Sequence, residues 1–118
     1  MPSTRSKSPA AALRDIVENI DLARGFVRDL SFDEFQADRR TVYAVVRCLE
    51  IISEASRRLP DDLKARHPEI PWTDVAGAGS IYRHDYQNVR DIFVWRAVAE
   101  SRKPLRNAAD DELHKLIR

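Results

Sequence analysis

The run Tyr82-Arg83-His84-Asp85-Tyr86 sets two phenols, a guanidinium, an imidazole and a carboxylate in five consecutive positions. A neutral His84 can take a proton from a hydroxyl, and its conjugate acid can return one to a leaving group. Arg83 can neutralise a phosphate that gains charge during transfer. Arg plus His without a metal suits RNA cleavage, where the 2′-hydroxyl is the nucleophile and the protein moves protons and stabilises charge. No cluster of acids that would hold a divalent ion is read beside the pair, and no Cys/His metal spacing or cofactor motif appears. The plain alternative is an exposed helix end that happens to carry these residue types.

Immediately before the cluster, Val75-Ala76-Gly77-Ala78-Gly79-Ser80 is the one run in which every side chain is small. Such a run lets another helix, a second subunit or a ligand approach closely, at a cost of roughly 1 kcal/mol of helix propensity per glycine. The spacing predicts a helix from about Pro71 to Arg83, a break near Gln87-Asn88, and a further helix from about Val89 carrying Ile92, Phe93, Val94, Trp95 and Val98. Pro104 should kink or restart that helix, because it removes a hydrogen bond and clashes with the preceding turn. Periodicity resumes in Leu105, Ala109, Leu113, Leu116 and Ile117.

Upstream, Leu13, Ile16, Val17, Ile20, Ala23, Phe26, Val27 and Leu30 recur at helical spacing and predict one amphipathic helix over 11–30. Ser31 with Glu34 forms a capping-box pattern ahead of a short helix, Phe32 to Ala37. Asp38 then caps a third helix running to about Leu59, whose apolar set is wider than one stripe and predicts the most buried element. Arg47, Glu50, Glu54 and Arg58 line its other face, either as a solvated ion-pair ladder or as polar groups turned toward the Arg-His cluster. Pro60-Asp61-Asp62 opens another short helix that ends before Pro68, placing His67 at a helix end in a structural role. The expected fold is all-α: an antiparallel bundle of about five main helices with short connecting ones.

Length and composition agree with one domain over 11–118, preceded by a disordered tail at 1–10 rich in Ser, Pro and basic residues. Lys+Arg 20 against Asp+Glu 19 leaves a net charge of +1, so overall charge does not announce a nucleic-acid binder. Arginine, the better residue for planar phosphate and base recognition, nevertheless outnumbers lysine. The single cysteine, Cys48, excludes an internal disulfide, fits a reducing cytoplasm and falls within an apolar pattern as a buried hydrophobe. No stretch approaches the ~18 to 20 apolar residues of a membrane span.

Ordered stretches across 13–116 then carry a resemblance. They are Leu30-Ser31-Phe32-Asp33-Glu34-Phe35, Asp38-Arg39-Arg40-Thr41, Leu49-Glu50-Ile51-Ile52-Ser53-Glu54-Ala55, Arg58-Leu59-Pro60, Arg66-His67-Pro68-Glu69-Ile70-Pro71-Trp72 and His84-Asp85-Tyr86, with Ile92, Val94 and Trp95. The chain resembles the HepT-like proteins of the HEPN superfamily, ribonuclease toxins paired with minimal nucleotidyltransferase antitoxins. The family motif is Arg, four residues, His, one residue, Tyr. His84 and Tyr86 match it; Gly79 stands at the Arg position and Ser80 where Asn is usual. Arg83 resembles a variant form with the basic residue next to the histidine. The resemblance implies a homodimer with facing motifs, RNA as substrate, and an antitoxin that attaches AMP to Tyr86. It also implies Arg83, His84 and Tyr86 as the active set; Ser80 and Asp85 beside them, and Arg47 and Glu54 by their spacing on the third helix, are the candidate supporting polar groups. A second implied reading is a non-catalytic nucleotide- or partner-binding dimer, in which Gly79 records the loss of cleavage.

Overall fold

The computed structural model describes residues 8–84 and 87–117; the side chains of residues 80–84, 87–89, 101 and 117 fall outside that description. Residues 1–7 of the expected tail lie outside the described residues; the expected break near Gln87-Asn88 is not found, since α6 already begins at Gln87, two residues ahead of the expected start near Val89. The elements are α1 (Ala10–Val27), α2 (Phe32–Ala37), α3 (Arg39–Arg57), α4 (Asp61–Ala65), α5 (Trp72–His84), α6 (Gln87–Arg96), a π-helical turn (Ala97–Ser101) and α7 (Arg102–Ile117). The fold is all-α: five longer helices, two short ones, and no strand among the described residues.

Local sequence chemistry sets most of the boundaries. At α2 the Glu34 N–H donates to Ser31 Oγ at 3.1 Å while the Ser31 N–H donates to Glu34 Oε1 at 2.8 Å, completing the capping box. Asp38 caps α3 by accepting from the Thr41 N–H at 3.3 Å and the Thr41 hydroxyl at 2.7 Å. The first helix ends three residues earlier than its apolar spacing predicts. It stops at Val27 because the Leu30 N–H donates back to the Val27 carbonyl at 3.0 Å, through Asp29 at φ 67°. Aspartate tolerates this left-handed geometry better than most residues.

The α3 helix forms the centre of the core. Val42, Val45, Leu49, Ile52 and Ala55 are wholly buried or nearly so, and Cys48 is buried beside them. Its neighbours are α1 on one side and α5 on the other, with α7 closing over α1. On α1, Leu13, Ile16, Ile20 and Ala23 supply the inward stripe. Burial of such side chains contributes roughly 1.5–3 kcal/mol each, less the entropy of ordering them. The outer row of α3 is an ion-pair ladder: Arg47 meets Glu50 at 3.4 Å, while Arg58 pairs with Glu54 and also reaches Asp15 of α1 at 2.8 Å.

Pro104 acts differently from a simple kink. A π-helical turn precedes it, and α7 restarts at Arg102, so the proline occupies the third helical position. There its missing N–H is one of those a helix start leaves unbonded.

Candidate functional site

The reactive cluster lies at the junction of α5 and α6. Because α5 has small side chains and weak amphipathicity, other elements must hold it. The indole N–H of Trp72 donates to the carbonyls of Lys64 (3.1 Å) and His67 (3.0 Å), fixing the start of the helix. From α3, buried Ser53 donates its hydroxyl to the Val75 carbonyl at 2.8 Å, and the Arg57 guanidinium donates to the Ala76 carbonyl. A carbonyl has two lone pairs, so these contacts coexist with helix bonding. Anchored at one end, α5 carries His84 about 18 Å away at the other, at 1.5 Å per residue.

The small-residue run divides into two faces. Val75 and Gly79, four residues apart, are buried, whereas Gly77 is exposed and a Cβ there would meet nothing within 4 Å. Alongside the open face runs a groove of about 610 Å³, lined by Thr73, Gly77 and Ala78 of α5, Phe93 and Arg96 of α6, and Glu100. Phe93 stands 48% exposed in its wall.

On the far side of the junction, α6 is fixed by contacts that sequence reasoning missed. Asp91 is completely buried, accepting from Arg39 at 2.8 Å and from its neighbour Arg90 at 3.4 Å. Trp95 packs on Phe32 and Phe35 of α2, with ring centroids 5.9 and 5.3 Å away. Asp91, Val94 and Val98 recur at three and four residues, so an acid on the buried stripe of α6 was the available signal.

A second ionic group braces the approach to α5. Glu112 of α7, 3% exposed, accepts from Arg66 Nε (3.1 Å) and Nη2 (2.9 Å) and pairs with His67 Nε2 at 2.7 Å. The Arg66 guanidinium, with help from His67 and Lys115, holds the Glu112 carboxyl well below its usual range, at about 2. Asp111 completes a trio with His67 and Glu112 whose ligand atoms lie within 4.8 Å of one another. Two cations already share the Glu112 carboxylate, which favours a structural clamp over a cation site.

Of the residues expected to act, Arg47 and Glu54 lie in the exposed ladder of α3, paired with Glu50 and Arg58. Ser80, Arg83 and His84 belong to the last turns of α5, with their side chains outside the description. Asp85 and Tyr86 lie outside the described residues altogether.

Among the described residues the protein is a helical bundle in which α5 and α6 are each braced by neighbouring elements. The Ribonuclease HepT-like family model matches residues 16–111, and the chain belongs to that family. It is 43% identical over 88 residues to "Probable ribonuclease HepT" of Thermococcus cleftensis, covering 75% of this chain and 80% of that protein. Against "Putative RNase MJ1380" of Methanocaldococcus jannaschii the identity is 37% over 90 residues, covering 76% and 83%. A longer match, to "Putative RNase TTE0752" of Caldanaerobacter subterraneus, is 29% identical over 109 residues and spans 92% of this chain and 97% of that one. No solved structure matches. No helix among the described residues is long and apolar enough to cross a membrane.

Proposed function

We propose that the protein is a metal-independent endoribonuclease toxin, with His84 as general acid/base, Arg83 as phosphate clamp and Tyr86 positioning the substrate. The observation that carries this reading is family membership across 16–111 together with the Arg83-His84-x-Tyr86 order in the sequence. In the chemistry proposed, His84 withdraws the 2′-hydroxyl proton as that oxygen attacks the adjacent phosphorus, and Arg83 stabilises the charge gathered on the phosphoryl oxygens. The 5′-oxygen leaves with a proton and a 2′,3′-cyclic phosphate remains. The working form is a homodimer seated along the open face of α5, where Gly77 leaves space and Phe93 is exposed. A minimal nucleotidyltransferase antitoxin silences it by attaching AMP to Tyr86, a bulky anion two residues from His84.

Cleavage of RNA in EDTA, with cyclic or 3′-phosphate ends on the products, is the expected result. His84→Ala should lower the rate on the order of 10²- to 10⁴-fold. Full activity in that variant would remove His84 from the reaction, and an absolute requirement for magnesium would remove the metal-free mechanism.

The buried position of Gly79 favours one competing reading, a non-catalytic nucleotide- or partner-binding dimer. An arginine at 79, the usual family position, would begin from a packed face of α5. Arg83 is displaced from that position by about 40° around an ideal helix and one turn along it. A wild type that binds RNA without cutting it, beside a Gly79→Arg variant that cuts, would select this second reading.

A further inference from the structure

Outside the motif, one exposed aromatic side chain is surrounded by cations. Tyr43 on α3 is 60% exposed. The Arg39 guanidinium lies 5.7 Å from its ring centroid and that of Arg90 5.6 Å away. These are cation–π distances. Arg39 sits one turn before Tyr43 on α3, while Arg90 comes from α6, so the arrangement depends on how the two helices pack. Asp91 sets that packing. Its carboxylate holds both arginines and is itself completely buried, so the ring stands in solvent while the two guanidiniums stay partly tucked beneath it, Arg39 32% and Arg90 15% exposed. Exposed Arg40 lies beside Tyr43 on α3, adding positive charge.

We propose that Arg39, Tyr43 and Arg90 form a platform that stacks an unpaired base of single-stranded RNA and holds its adjoining phosphate. Proteins that grip single strands combine a cationic track with aromatic faces on which bases stack. This platform offers both, on a rigid frame. It deepens the ribonuclease reading and rests on it. Arg90 follows His84 by six residues, so their Cα atoms lie within about 22 Å whatever path the chain takes. That span is within the length of a few nucleotides, so one strand is long enough to reach both. A second copy of the chain is a poorer occupant, because a two-fold contact centred on Tyr43 would set these guanidiniums against one another.

The test uses fluorescence polarisation with an unstructured 2′-O-methyl RNA of about 12 nucleotides, which lacks the nucleophile needed for the proposed cleavage, and a duplex of the same length. Tyr43→Ala should weaken single-strand binding on the order of 10- to 100-fold, the loss of one stacked base, with duplex binding within about 2-fold. Tyr43→Phe keeps the ring and should recover most of the loss. Equal weakening of both probes, or of neither, overturns the platform. So does a drop from dimer to monomer in light scattering for Tyr43→Ala, which would make Tyr43 an interface residue. Tyr43 is largely in solvent, so the substitution should leave the helical circular dichroism signal and melting temperature near wild type; a large loss of either would also overturn the proposal. Active cleavage by wild type and Tyr43→Ala with equal single-strand affinity would sink the platform alone. Tyr43-dependent binding without cleavage of any RNA would sink the ribonuclease reading and leave the platform standing.

Discussion

Replacing Glu112 by glutamine tests the clamp that braces the start of α5. The native carboxylate presents two oxygens to three donors, Arg66 Nε, Arg66 Nη2 and His67 Nε2, at 2.7 to 3.1 Å. Glutamine retains one acceptor oxygen and turns an amide N–H₂ toward groups that are themselves donors. Breaking a fully buried pair costs about 3–5 kcal/mol, but Arg66 is 49% exposed and can turn to water or to Asp62. The expected loss is therefore about 2 kcal/mol, near the value of one charge-assisted hydrogen bond. For a domain of this size that is roughly 6–12 °C in melting temperature. The pH dependence follows from the depressed carboxyl. Glu112 titrates near about 2 when folded against an ordinary 4.5, so its contribution is fully present above about 4.5 and disappears as pH falls toward 2. Circular dichroism melts of both proteins from pH 7 downward should show a constant gap that closes across that window. A gap under ~1 kcal/mol at pH 7, or one that persists unchanged near pH 2, would refute the account.

Gly77→Ala should raise monomer stability by about 1 kcal/mol in thermal melts, because the added methyl meets open space and removes a glycine from a helix. If the open face of α5 carries the dimer, light scattering of the same variant should also show weaker association. Ser53→Ala removes the bond to the Val75 carbonyl and should cost about 1–2 kcal/mol in urea unfolding. Arg83→Lys should cut RNA turnover more than RNA affinity if the planar fork grips phosphate oxygens in the transition state. Unchanged turnover would mark Arg83 as a solvated charge.

Features governed by neighbours within four residues were the legible ones. The Ser31–Glu34 box and the Asp38 cap are read from side-chain type and spacing alone, and both close as expected. The end of α1 was not legible, because Phe26, Val27 and Leu30 continue the apolar period through a turn that only Asp29's backbone reveals. Pairings across long sequence distances escaped as well: Arg39 with Asp91, and Arg66 and His67 with Glu112, depend on the tertiary approach of helices. The position of His67 just before Pro68 nonetheless reads as structural, and its bond to Glu112 agrees with that. The small run before His84 was visible in sequence, but not that Gly79 turns inward while Gly77 turns outward. For the motif itself, sequence supplies the residue types and their order.

The π-helical turn at Ala97–Ser101 divides the labour of one long rod. A π turn behaves as one residue inserted into an α-helix, and each α-helical residue turns the chain by about 100°. The rod therefore changes phase midway. Before the turn it is geared to α3, α2 and α5; after it, to α1. Substitutions that retune the groove-facing surface of α6 can thus accumulate without dragging the α1–α7 seam out of step.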